Sequence, residues 1–143
     1  MKITLSVMAA TLALSLPAFA GSDSGGDAAK GEKDFKKCKA CHAIVADDGT
    51  AIVKGGKSGP NLYGVIGRVA GSVDFNFGDS IKAAGAAGLV WDEKNLAEYI
   101  ADPKAFLIKA TGDAGAKAKM SYKLKKGGND VAAYLASVAP AAN

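Results

Sequence analysis

The chain has 143 residues, with 18 basic and 14 acidic side chains giving a formal net charge of +4, and 49% of its residues are hydrophobic. This length suits one domain rather than several. Two cysteines and one histidine offer three candidate ligands, one fewer than a structural zinc site takes, and so small a charge, with no other sign of phosphate recognition, does not favour a nucleic-acid partner.

Residues 1–20 read as a secretory signal peptide. Met1-Lys2 is a basic start, residues 3–16 are apolar apart from Thr and Ser, and Pro17-Ala18-Phe19-Ala20 ends in a small-x-small cleavage site. The apolar run is too short for a transmembrane span, so no stable membrane insertion is expected. Cleavage after Ala20 removes Lys2 and lowers the formal charge from +4 to +3. Residues 21–26 form a flexible lead-in of Gly, Ser and Asp, and 27–143 form the single folded domain.

Asp27 is placed to cap a helix over 28–40 with an apolar stripe of Ala28, Gly31, Phe35 and Cys38. A glycine inside a helix costs about 1 kcal/mol against alanine, so Gly31 predicts the close approach of another helix. The helix ends in Cys38-Lys39-Ala40-Cys41-His42, the spacing of a covalent haem-attachment site. On a helix, positions i, i+3 and i+4 share one face. Each thiol can then add to one haem vinyl group, which leaves the imidazole over the iron. A thioredoxin-like pair would want βαβ surroundings, and a Cys38–Cys41 disulfide would leave His42 without a role. Export normally oxidises two free cysteines to a disulfide; thioether bonds account for both.

Residues 45–59 hold four glycines, show no helical period and read as loop. Gly59-Pro60-Asn61-Leu62-Tyr63-Gly64 reads as turn. Asp79 or Ser80 starts a short helix through residue 87. Asp92 caps a helix over 93–102 with Leu96, Tyr99 and Ile100 inward, and Pro103 ends it or opens another over 103–110. Asn129 is placed to cap a helix over 130–138, where Val131, Tyr134, Leu135 and Val138 form one apolar stripe. Tyr134 or Leu135 is the expected partner of Gly31. No stretch alternates long enough to suggest a sheet, so the expected fold is all-α, short helices joined by glycine-supported loops.

Cleavage also removes Met1 and Met8, and the remaining methionine, Met120, sits among lysines from Lys117 to Lys126 rather than in a core pattern. His42 and Met120 together supply the His/Met ligation of iron in cytochromes c.

These residues resemble the class I c-type cytochromes, small soluble proteins with an early haem motif and a late methionine, and among them the bacterial cytochrome c2 and c550 group. The likeness runs from 26 to 138. It is carried by Gly31-x3-Phe35, Cys38-Lys39-Ala40-Cys41-His42, the turn from Gly59 to Gly64 with Gly67-Arg68, Trp91, Tyr99 with Pro103, and Lys119-Met120-Ser121-Tyr122. The resemblance implies a small cytochrome c fold wrapped around one covalent haem c and its iron. In that fold the Pro60 carbonyl accepts the second imidazole proton of His42, Arg68 and Trp91 reach the propionates, and Tyr99 packs beside the Met120 sulfur and donates to it. Tyr122 stands at the crevice edge. Phe77 replaces a tyrosine that bonds a propionate in mitochondrial relatives, which puts that contact in doubt. The loops around 52–56, 84–88 and 111–116 are longer than in those relatives and match the long bacterial form.

The function implied is one-electron transfer in the periplasm, not enzymatic turnover. Expected partners are redox complexes with acidic docking faces: a bc1 complex, a photosynthetic reaction centre, or an oxidase or reductase. Lys37, Lys39, Lys57, Lys104, Lys119, Lys123 and Lys125 lie near the segments that border the haem, and the resemblance makes them a docking ring on a monomeric carrier. The alternative role for them is a solvated face. A peroxidase-like haem enzyme or gas sensor would want a distal histidine or arginine, and beyond His42 and Arg68 the chain has neither.

Overall fold

The computed structural model describes residues 25–139; the expected signal peptide and most of the lead-in lie outside the described residues. Asp27 caps α1 (Ala28–Asp34), its carboxylate accepting from the backbone N–H groups of Ala29 and Lys30. This helix is shorter than the expected 28–40. At its end the backbone tightens into a 3-10 turn, Phe35–Lys37, as last turns commonly do. Phe35 anchors it, buried against Tyr134 with ring centroids 5.7 Å apart. The cysteine motif follows as one further turn, in which the N–H groups of Cys41 and His42 both donate to the Cys38 carbonyl, at 3.1 and 2.9 Å.

The last helix, α5 (Gly128–Val138), lies across α1. A Cβ on Gly31 would overlap the Asp130 carbonyl oxygen and come within 2.8 Å of the Tyr134 Cβ. The close approach expected at Gly31 is therefore present, with Tyr134 as the partner. The expected cap at Asn129 is not. Gly127, at a φ of +85°, turns the chain into α5 one residue before the helix begins, and Asn129 falls inside its first turn. The Asp130 carboxylate accepts from the Asp27 N–H at 2.8 Å, which ties the starts of the two helices together.

A small antiparallel pair, β1 (Ile44–Val45) and β2 (Ala51–Val53), corrects the reading of 45–59 as loop alone. Strands this short carry no visible alternation. Then come α2 (Asp79–Ala86), α3 (Glu93–Ala101) and α4 (Pro103–Thr111). Asp92 caps α3 in a reciprocal pair with Asn95. Asp102 closes α3 and caps α4 through the Ala105 N–H, with Pro103 at the first helical position, where a missing N–H has no intrahelical partner to lose. The core gathers Phe35, Ile44, Leu107, Val131 and Leu135, each 2% exposed or less. Among the described residues no helix is long and apolar enough to cross a membrane.

Candidate functional site

The helices and loops enclose a cavity of about 610 Å³, within the roughly 300–1,000 Å³ of small-molecule and cofactor sites. Cys38, Cys41, His42, Pro60, Arg68, Trp91, Tyr99 and Met120 all line it, although 82 residues separate Cys38 from Met120 in the sequence. The single turn at the motif brings both thiols and the imidazole to this cavity. Leu62, Val65, Leu96, Leu107, Val131 and Leu135 supply much of the rest of the wall.

His42 is held from two sides. Its Nδ1 lies 2.8 Å from the Pro60 carbonyl oxygen. Gly59 packs against the ring, where an added Cβ would stand 2.6 Å from Nδ1. Burial pushes the imidazole pKa down, and the Pro60 bond opposes it. Burial also raises the Cys38 thiol to about 11. A reactive Cys-x-x-Cys pair depends instead on a lowered thiol pKa, so the redox-pair reading of the motif finds no support.

Arg68 lines the cavity and also makes backbone hydrogen bonds that the sequence reading did not include. Its guanidinium donates to the carbonyls of Asn61 (3.0 Å) and Tyr63, while burial lowers its pKa from the ordinary value. Asn61 in turn accepts from the Val45 N–H at 3.0 Å and donates to the Val45 carbonyl at 2.7 Å. Arg68 and Asn61 thus fix the proline turn that holds His42. Trp91 packs on Tyr99 and Phe106, centroids 5.1 and 5.8 Å apart. Burial pushes the Tyr99 phenol up to about 12. Tyr99 and Met120 line the same cavity, with no hydrogen bond between them among the described residues. Tyr122 and Phe77 also line it, and Phe77 meets Phe75 edge-on at 5.1 Å.

The seven lysines expected to ring the site are all exposed. Lys37 and Lys119 reach the cavity rim, and so does Lys117, which the sequence reading missed. Lys37 pairs with Asp34 and Lys123 with Asp102, each at 2.7 Å. Lys119 bonds the carbonyl of Asn76 at 2.9 Å and its side-chain Oδ1 at 3.2 Å. Lys39, Lys57, Lys104 and Lys125 make no ion pair among the described residues.

An apolar cavity carrying two thiols, an imidazole and a thioether fits a haem by the chemistry of its donors: sulfur for vinyl groups, nitrogen and sulfur for iron. The relatives decide the family. No protein-family model matches the chain. Cytochrome c2 of Rhodobacter capsulatus is 58% identical over 140 residues, covering 96% of this chain and 98% of that protein. Cytochrome c-551 of Roseobacter denitrificans is 56% identical over 138 residues, covering 96% of each.

The chain belongs to the cytochrome c2 and c-550 family.

The solved structure of cytochrome c2 from Rhodobacter capsulatus matches with a TM-score of 0.78 at 61% identity, covering 79% of this chain and 98% of that one. Cytochrome c2 from Paracoccus denitrificans gives 0.79 at 54% identity, with 82% and 99% covered. Membership in the cytochrome c2 family makes the chain a c-type cytochrome, an electron carrier rather than an enzyme, with haem c and its iron as cofactor. The all-α cytochrome c fold expected from the sequence is the fold observed, with one small β pair added.

Proposed function

We propose that this chain is an exported, periplasmic one-electron carrier whose haem is bound covalently through Cys38 and Cys41 and ligated axially by His42 and Met120. The observation that carries the reading is the 2.8 Å contact of His42 Nδ1 with the Pro60 carbonyl. That carbonyl accepts only from a protonated Nδ1, so the lone pair is left on Nε2, the form in which imidazole binds a metal. Burial, by lowering the His42 pKa, favours the same neutral ring.

Met120 lines the same cavity and supplies the second ligand. Held by both residues, the iron would offer small molecules no open site, and the haem would supply one-electron chemistry. Leu62, Val65, Leu96, Leu107, Val131 and Leu135 give the cavity a largely apolar inner wall. Arg68 uses two of its five N–H donors on backbone carbonyls, and the remaining donors with Trp91 are available to propionates.

The partners are membrane redox complexes with acidic docking faces, such as a bc1 complex and a reaction centre, oxidase or reductase. The monomer approaches them with the rim lysines foremost. Residues 1–20 direct export and are removed, leaving 21–26 as a lead-in to the domain.

Mass spectrometry of the protein purified from its producing organism tests this directly. The expected mass is the chain from Gly21 plus one haem that survives acid denaturation. A chain still carrying residues 1–20, or haem released by acid, overturns the corresponding part.

A further inference from the structure

Met120 sits on a stretch with little backbone support of its own. Between the end of α4 at Thr111 and the start of α5 at Gly128 there is no regular secondary structure. From 117 to 123, the backbone N–H of Lys117 is the one with a hydrogen-bond acceptor among the described residues. That acceptor is the Ser80 Oγ, 2.9 Å away and 37 residues back in sequence, in the first turn of α2. Two residues on, the Lys119 ammonium bonds Asn76 twice, at 2.9 and 3.2 Å, and its stem lies over Gly78, where an added Cβ would meet Lys119 Cγ at 3.4 Å. On the far side of Met120 the next ties are Lys123 to Asp102 and the Leu124 N–H to the Ile100 carbonyl, at 2.7 and 2.8 Å.

We infer that Ser80 and Asn76 are positioning residues for Met120: they tie the segment that carries it to the first turn of α2 and to the residues just before that helix, and so set how readily its sulfur leaves the iron. This rests on the axial role proposed for Met120. The two ties are unequal. Lys119 is exposed, and exposed charged contacts hold weakly. Ser80 is half-buried and satisfies a backbone N–H, which leaves an orphaned donor when the hydroxyl is lost. A segment held by so few bonds opens locally far more easily than the helices around it. Ser80 is therefore the stronger of the two.

The test titrates imidazole, a competing nitrogen ligand, into the ferric holoprotein and follows loss of the sulfur-to-iron charge-transfer band. Ser80→Ala should raise the apparent imidazole affinity about fivefold, the factor that one lost hydrogen bond of ordinary net strength gives. Ser80→Thr, which keeps the hydroxyl, should stay near the wild type, and far-UV circular dichroism should not change. Lys119→Leu removes the Asn76 ties without touching α2, and carries the test should Ser80→Ala fail to fold; a smaller rise is expected there. A wild-type band with an imidazole affinity that neither substitution moves overturns this inference alone. A wild-type protein with no such band overturns the Met120 ligation and this inference with it.

Discussion

The Nδ1 of His42 lies 2.8 Å from the carbonyl oxygen of Pro60, and the residue before that proline leaves no room for a side chain beside the ring. Two adjacent residues thus do different work on one imidazole. Gly59 admits the ring, and Pro60 fixes which nitrogen carries the proton. Arg68 and Asn61 then brace the turn from its other side.

Gly59→Ala should damage the site locally. The new methyl would overlap the His42 ring, and overpacking of this kind typically costs about 1–3 kcal/mol. A lower denaturation midpoint and a weakened sulfur-to-iron band are expected, because the ring must shift to admit the methyl. An unchanged midpoint and band would show that the contact is loose.

Gly31→Ala sets two effects against each other. Alanine gains up to about 1 kcal/mol in helix propensity. Its methyl would overlap the Asp130 carbonyl and crowd Tyr134, which forces α1 and α5 apart and costs about 1–3 kcal/mol. Net destabilisation is expected in thermal unfolding. A stabilised variant would mean that the helix pair adjusts without loss.

Removing the haem should remove much of the fold. The cavity wall includes Leu62, Val65, Leu96, Leu107, Val131 and Leu135, which are left facing a void when nothing fills it. A Cys38→Ser, Cys41→Ser double variant purified without haem should lose most of its far-UV helical signal at room temperature. Helical content equal to that of the holoprotein would contradict this.

Gly31 and the cysteine motif were legible in the sequence because their signals are local. A helix glycine has a cost that demands a reason, and a three-residue spacing has one chemical use beside an adjacent histidine. Asp27, Asp92 and Pro103 were legible for the same reason. The rest depended on contacts across the fold. Arg68 meets carbonyls set by a turn, Ser80 meets Lys117 from 37 residues away, and no short pattern announces either. Asn129 looked like a cap because its side chain suits one, yet the left-handed backbone at Gly127 starts the helix earlier. The β pair was too short to alternate visibly.

Asp102 gives the protein an acid dependence whose sign is fixed. The Lys123 ammonium, bonded at 2.7 Å, and then the Ala105 N–H hold its carboxyl below the ordinary 3.8. A depressed folded-state value means the stabilisation is present above the unfolded value and is lost as pH falls through the folded one. The stability gap between the wild type and Asp102→Asn should therefore narrow as pH drops below about 4. A gap constant with pH would remove Asp102 from the acid response.

Salt should slow electron exchange with an acidic redox partner. Raising ionic strength from about 0.01 to 1 M shortens the screening length from about 30 Å to about 3 Å. Steering by Lys37, Lys39, Lys57, Lys104, Lys119, Lys123 and Lys125 should weaken accordingly, lowering the second-order rate by roughly tenfold or more. A rate indifferent to salt would leave those lysines as a solvated face only.

The most direct test of His42/Met120 ligation is the visible spectrum of the exported protein, oxidised and reduced, with carbon monoxide added to the reduced form. A low-spin spectrum with a sulfur-to-iron charge-transfer band, unmoved by carbon monoxide, is the expected result. A high-spin spectrum, or ready carbon monoxide binding, would contradict it and turn the reading toward a haem enzyme or sensor.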